Sequence, residues 1–139
     1  MVPRSVEARR FYFVARQRLE DGQLLLHELA RPAAAVYLAG YAVECILKAL
    51  LLANTTPDHA RAVAAEFRGA WGHDLQWLGA RLRKAGVAGF PAAISRDLAL
   101  VSTWSVELRY NPRMMPERDA EAFVAAVERI VAFMDARIS

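Results

Sequence analysis

The sequence has little of what builds disulfide-bonded domains or metal sites. It holds one cysteine, Cys45, and three histidines in 139 residues. A single cysteine closes no internal disulfide, so no oxidising compartment has left a mark. His27, His59 and His73 are scattered, and no HExxH, CxxC or EF-hand loop occurs, so neither a metal nor a cofactor is expected. No GxGxxG or Walker A loop is present to cradle a phosphate, and no GxSxG offers a nucleophile elbow. Charge of one sign is also scarce. Lys and Arg total 18 against 15 Asp and Glu, a net charge of +3, too small to argue for nucleic acid by charge alone. Charged residues make up 24% and hydrophobic ones 55%, which excludes a disordered chain.

The first ten residues are charged and no apolar segment follows them, so no leader is expected and the cytoplasm is the expected location. One apolar run, Ala33 to Ala53, is long enough to cross a bilayer. It carries Glu44 and Lys48, each costing about 2.5–3.5 kcal/mol near a membrane centre. A central helix buried in a bundle, with no membrane contact, fits that run better.

What is abundant favours helix. Alanine occurs 27 times, and glycine and proline number only 7 and 6; alanine is the best helix former. Of the 18 basic residues 16 are arginine. That excess suits flat recognition of carboxylate or phosphate, but codon usage in a GC-rich genome is its more ordinary source. The periodicity predicts an all-α, up-and-down bundle of about five helices in one domain spanning 1–139, with short connections. A first helix runs from about Ser5 to Leu29, with Ala8, Phe11, Ala15, Leu19, Gly22, Leu26 and Leu29 on one stripe. Gly22 on that stripe suggests a close helix crossing. A second runs from Pro32 to Ala53, and a short one from Pro57 to about Phe67 with Thr56 as its cap. His73 or Asp74 caps a helix to Ala85. Pro91 opens one that ends near Tyr110, and Pro116 opens the last, whose core stripe is Ala120, Phe123, Val127, Ile130 and Met134.

Three polar features stand out. Tyr37, Tyr41, Glu44 and Lys48 share one face of the second helix by their spacing of 4, 3 and 4. Glu44 and Lys48 have the favourable order for an ion pair. A buried pair needs further partners, and Arg109 is the candidate to reach Glu44. The second feature, His73-Asp74, reads as a helix start. The third is the segment Trp104 to Tyr110. Cys45 reads as a packed thiol.

The stretch Ala39-Gly40-Tyr41-Ala42-Val43-Glu44-Cys45-Ile46-Leu47-Lys48 resembles the signature helix of the HEPN domain, the "higher eukaryotes and prokaryotes nucleotide-binding" family. Gly72-His73-Asp74-Leu75 and Arg109-Tyr110-Asn111-Pro112 follow in the matching order. The resemblance implies an up-and-down bundle that often forms a homodimer. It also implies toxins or defence proteins, often encoded beside a minimal nucleotidyltransferase. Active members cleave RNA without metal, using an Arg followed 4 to 6 residues later by a His. Here Arg109 matches the Arg, but Tyr110 to Pro116 contains no His. His73 could act as acid or base only if the fold brings it to Arg109. The leading expectation is therefore a non-catalytic protein. It would bind nucleotide, RNA or a nucleotidyltransferase through Tyr41, Glu44, Lys48, Arg109 and Tyr110. Two alternatives compete with it. One is a metal-independent ribonuclease toxin using Arg109 and His73; the other is a structural dimerisation or interaction module.

Overall fold

The computed structural model describes residues 2–110 and 115–138, and their side chains apart from 70 and 104–110. Among the described residues there are six α-helices and no strand. They are α1 (Val6–His27), α2 (Pro32–Ala53), α3 (Pro57–Glu66), α4 (Leu75–Lys84), α5 (Ala92–Tyr110) and α6 (Glu117–Arg137). A 3-10 turn, Ala70–His73, precedes α4. The all-α reading holds.

Helix starts follow the sequence closely because their signals are local. The Ser5 side chain accepts from the Ala8 backbone N–H and begins α1. Pro32 and Pro57 occupy the first turns of α2 and α3, where a missing N–H costs nothing. Thr56 stands at the cap position of α3 without capping it. Its hydroxyl lies 2.7 Å from the His59 ring nitrogen instead. Helix ends differ more. α1 stops at His27, and Leu29, expected on the core stripe, is exposed. Ala30 takes a left-handed turn conformation there, with φ of 48°, and swings the chain toward α2.

α1 and α2 form an antiparallel hairpin and pack against each other more extensively than any other pair. Gly22 sits at their close crossing. A Cβ at this position would lie 3.1 Å from the Ala35 carbonyl oxygen and 3.5 Å from the Ala39 Cβ, so the missing side chain sets the helix spacing. α2 is the centre of the bundle and also meets α4, α5 and α6. Every residue from Ala42 to Leu52 is buried. α2 is also the one described helix apolar enough to cross a membrane, but 83% of its apolar window is buried inside the fold.

α6 fills the opposite side. Ala120, Phe123, Val127, Ile130 and Met134 are all fully buried, as their spacing predicts. Leu75, Leu78 and Leu82 point inward from α4, and Ile94 and Val101 from α5. The side chains of the segment Trp104 to Tyr110 lie outside those described. Met115, just before α6, is buried. Arg129 of α6 makes a two-pronged bond to Asp97 of α5 at 2.9 and 3.0 Å. Together with the Phe90–Phe133 edge contact, it ties the start of α5 to the later turns of α6.

Candidate functional site

The polar centre forms where α2 passes under the 3-10 turn. Glu44 and Lys48 lie one helical turn apart on the C-terminal half of α2, and both are 4% exposed. The Lys48 ammonium donates to Glu44 Oε2 at 2.9 Å. Two aromatic rings close over that ammonium, Phe11 from α1 at 5.5 Å and Phe67 from the end of α3 at 5.2 Å. The rings meet edge to face, with centroids 5.6 Å apart. Lys48 therefore has a carboxylate on one side and ring faces on the other, the surroundings that a desolvated ammonium requires.

Glu44 has a second partner. The Nδ1 of His73 lies 3.1 and 3.2 Å from its two carboxylate oxygens. A carboxylate only accepts, so Nδ1 carries the proton and donates. Nε2 is then the nitrogen left unengaged by Glu44, on a side chain 49% exposed. The structure supplies His73, 29 residues away in the chain, as an additional partner of Glu44; the sequence candidate Arg109 lies outside the described side chains.

The local sequence explains how His73 is held there. A Cβ on Gly72 would lie 2.0 Å from the Phe67 carbonyl oxygen, so only glycine lets the turn fold back onto the end of α3. The Asp74 side chain accepts from the Gln76 and Trp77 backbone N–H groups at 2.9 and 3.1 Å and starts α4. Leu75 is the first core residue of α4. The four residues Gly72 to Leu75 thus contribute a close approach, a ligand for Glu44, a cap and an anchor. The reading of Asp74 as a cap holds; His73, read with it as a helix start, also reaches Glu44.

The expected polar stripe on α2 divides in two. Glu44 and Lys48 are closed inside, whereas Tyr41 is 40% exposed and Tyr37 more so. Partial burial raises the Tyr41 pKa, and the neighbouring Cys45 and Glu44 add to that. Burial likewise pushes the Cys45 thiol up to about 12, with Glu44 adding to the effect; such a thiol is inert as a nucleophile. Arg109 and Tyr110 end α5, and their side chains lie outside those described. Among the described residues no group of three metal-ligating side chains occurs. A separate cleft of about 340 Å³ opens between α4 and α5, beside Arg83, Gln76, Phe90 and Leu98. Tyr41, Glu44, Lys48 and His73 do not line it.

Chemically, the centre presents one accessible titratable group, an imidazole whose orientation and proton position are set by a buried carboxylate. Such a group can hydrogen-bond a ligand or exchange a proton with it.

The family model described as HEPN domain matches residues 8–137. No curated protein and no solved structure matches the chain.

Proposed function

The chain belongs to the HEPN domain family, and on that premise we propose that it binds RNA or nucleotide without cutting it. One observation carries the non-cutting half. The residues that follow Arg109, Tyr110 to Pro116, include no histidine, so no acid or base stands at the spacing that active members use. Arg109 would contact phosphate and Tyr110 would lie beside it. Tyr41 offers an exposed ring. Glu44 and Lys48, bonded to each other, serve this surface by holding His73 rather than by touching the ligand. The partners of this reading are a second copy of the chain and a minimal nucleotidyltransferase. Its setting is toxin–antitoxin or defence, and its location the cytoplasm.

The Glu44–His73 pair favours a second reading, a metal-independent ribonuclease. An imidazole held by a carboxylate through Nδ1 is the arrangement a general acid or base needs.

A metal-free RNA gel separates the two. Wild type, Arg109→Ala and His73→Ala are incubated in chelator with mixed structured and single-stranded RNA. The expected result is retarded, intact RNA with wild type and none with Arg109→Ala. Cleavage lost in both Arg109→Ala and His73→Ala establishes the ribonuclease. Neither shift nor cleavage refutes RNA binding and the ribonuclease alike and leaves a nucleotide or a protein partner.

A further inference from the structure

α4 and α5 are each moored elsewhere in the bundle. α4 drives Leu75, Leu78 and Leu82 into the core and packs on α2. α5 is held on α6 by the two bonds between Arg129 and Asp97, and it packs only lightly on α4. The faces that line the gap between them are small and polar. Gln76, Gly79 and Arg83 recur at spacings of 3 and 4 on α4, and Ser95, Ala99 and Ser102 at 4 and 3 on α5. Such residues do not fill the space between helices whose separation other partners set. What remains is the cleft of about 340 Å³, with Leu75 and Leu98 as its aliphatic lining. Folded proteins hold few voids larger than a water molecule, and this volume lies at the lower end of the range of small-molecule sites.

The charge in the cleft is of one sign. Arg81, Arg83 and Lys84 share the last turn of α4. Arg81 donates to Glu66, whereas Arg83 has no ion-pair partner among the described residues. Arg83 is also the one charged side chain among the described residues that line the cleft. Its guanidinium folds back over Gly79, where an added Cβ would meet only the Arg83 Nη1, at 3.9 Å. Packing therefore does not require this glycine, unlike Gly22 and Gly72, although glycine inside a helix costs stability that alanine would keep. What the missing side chain preserves is room beneath the guanidinium. Gln76 and Ser95 add a carboxamide and a hydroxyl to the same lining. Phe90 adds an aromatic wall, its ring fixed edge to face against Phe133 with centroids 5.9 Å apart.

A planar guanidinium without a partner takes a carboxylate through two parallel bonds. A phosphate ester calls for a helix N-terminus or a nest of backbone N–H groups, and Arg83 stands instead at the C-terminal turn of α4. The aliphatic and aromatic lining accepts a ring. We propose that the cleft between α4 and α5 binds a small aromatic carboxylate, with its ring against Phe90, Leu75 and Leu98 and its carboxylate on Arg83. This site is separate from Glu44, Lys48 and His73 and does not depend on the RNA-binding reading.

The test titrates the full, isotope-labelled chain with 2-naphthoate, with the uncharged 2-naphthamide and with 2-naphthyl phosphate, and follows the backbone amide resonances. Wild type is compared with Arg83→Gln, Gly79→Leu and, one position beyond Arg83 and outside the cleft, Lys84→Gln. Naphthoate is expected to shift the amides of Gly79, Ser95 and Leu98 with millimolar affinity or better, as a ligand of its size supports. Loss of the charge, in naphthamide or in Arg83→Gln, should weaken binding about ten- to 150-fold, the range for a hydrogen bond to a charged group. Gly79→Leu should fill the cleft and abolish binding while melting at or above the wild-type temperature, since leucine is the better helix former. Lys84→Gln should bind within twofold of wild type. If the leucine lowers the melting temperature, Arg83→Gln, on an exposed side chain, carries the decision. No shift at about 5 mM naphthoate, or binding that Arg83→Gln leaves within twofold, overturns the proposal. Naphthyl phosphate that binds more than tenfold tighter than naphthoate makes this a phosphate site and also overturns it.

Discussion

Removing one member of the Glu44–Lys48 pair should be far worse than removing both. Each group is 4% exposed, so a lone survivor would be an uncompensated charge in a dry interior. Breaking a buried pair in that way costs about 3–5 kcal/mol. Unfolding entropy of about 2.1 cal/mol/K per residue makes each kcal/mol worth about 3–4 °C in Tm for a chain of 139 residues. Lys48→Met alone should therefore lower Tm by about 10–17 °C. The methionine keeps the stem between Phe11 and Phe67, so the loss is electrostatic rather than a cavity. Glu44→Leu alone should fall by a similar amount, since the two ring faces return only about 1–2 kcal/mol to a stranded ammonium. The double variant Glu44→Leu/Lys48→Met removes both charges and keeps similar volume, and should melt within about 4 °C of wild type or above it. The assay is thermal unfolding followed by circular dichroism, with urea titrations to check two-state behaviour. Single losses below about 1 kcal/mol, or losses that simply add in the double variant, would refute the reasoning, because they would place both charges in contact with water.

Two other outcomes follow from the same region. Gly72→Ala should cost about 2 kcal/mol or more, because its Cβ would lie 2.0 Å from the Phe67 carbonyl oxygen and backbone must shift; an unchanged melting temperature would contradict that clash. The Cys45 thiol, pushed up to about 12 by burial, stays protonated in the fold while an unfolded thiol ionises near pH 8.5. Its folded-state pKa is the higher one, so stability is full below about pH 8.5 and declines as pH rises toward 12. Cys45→Ala should flatten that decline in urea titrations at pH 8, 9.5 and 10.5, and identical slopes in both proteins would contradict it.

The helices were legible in the sequence because their starts are written in single residues. Ser5, Pro32, Pro57 and Asp74 mark theirs, and the structure places helix starts there. The core stripe of α6 was legible because 3.6-residue periodicity needs no knowledge of the partner. Depth along α2 was not. Spacing puts Tyr41 and Glu44 on one face, but only the later half of that face is roofed, by Phe11, Phe67 and the 3-10 turn. The Glu44–Lys48 bond was visible because an i, i+4 pair is local. The Glu44–His73 bond was not, because it joins residues 29 apart through a turn whose path depends on Gly72. The need for another partner on Glu44 could be derived from burial, but His73 could not be named as one from spacing; Arg109, the candidate by motif, lies outside the described side chains.

The α1–α2 hairpin has a kinetic consequence. Its contacts join residues close in the chain, from Gly22 against Ala35 and Ala39 outward, whereas the whole middle of the chain separates α2 from α6. Loop-closure entropy favours the first event over the second. The hairpin should therefore be largely formed in the folding transition state. On that basis, substitutions at the Gly22 crossing would slow folding, while those on the inner face of α6 would mainly speed unfolding. Chevron plots of Ala39→Gly and Ile130→Val distinguish this order from one in which α6 docks first.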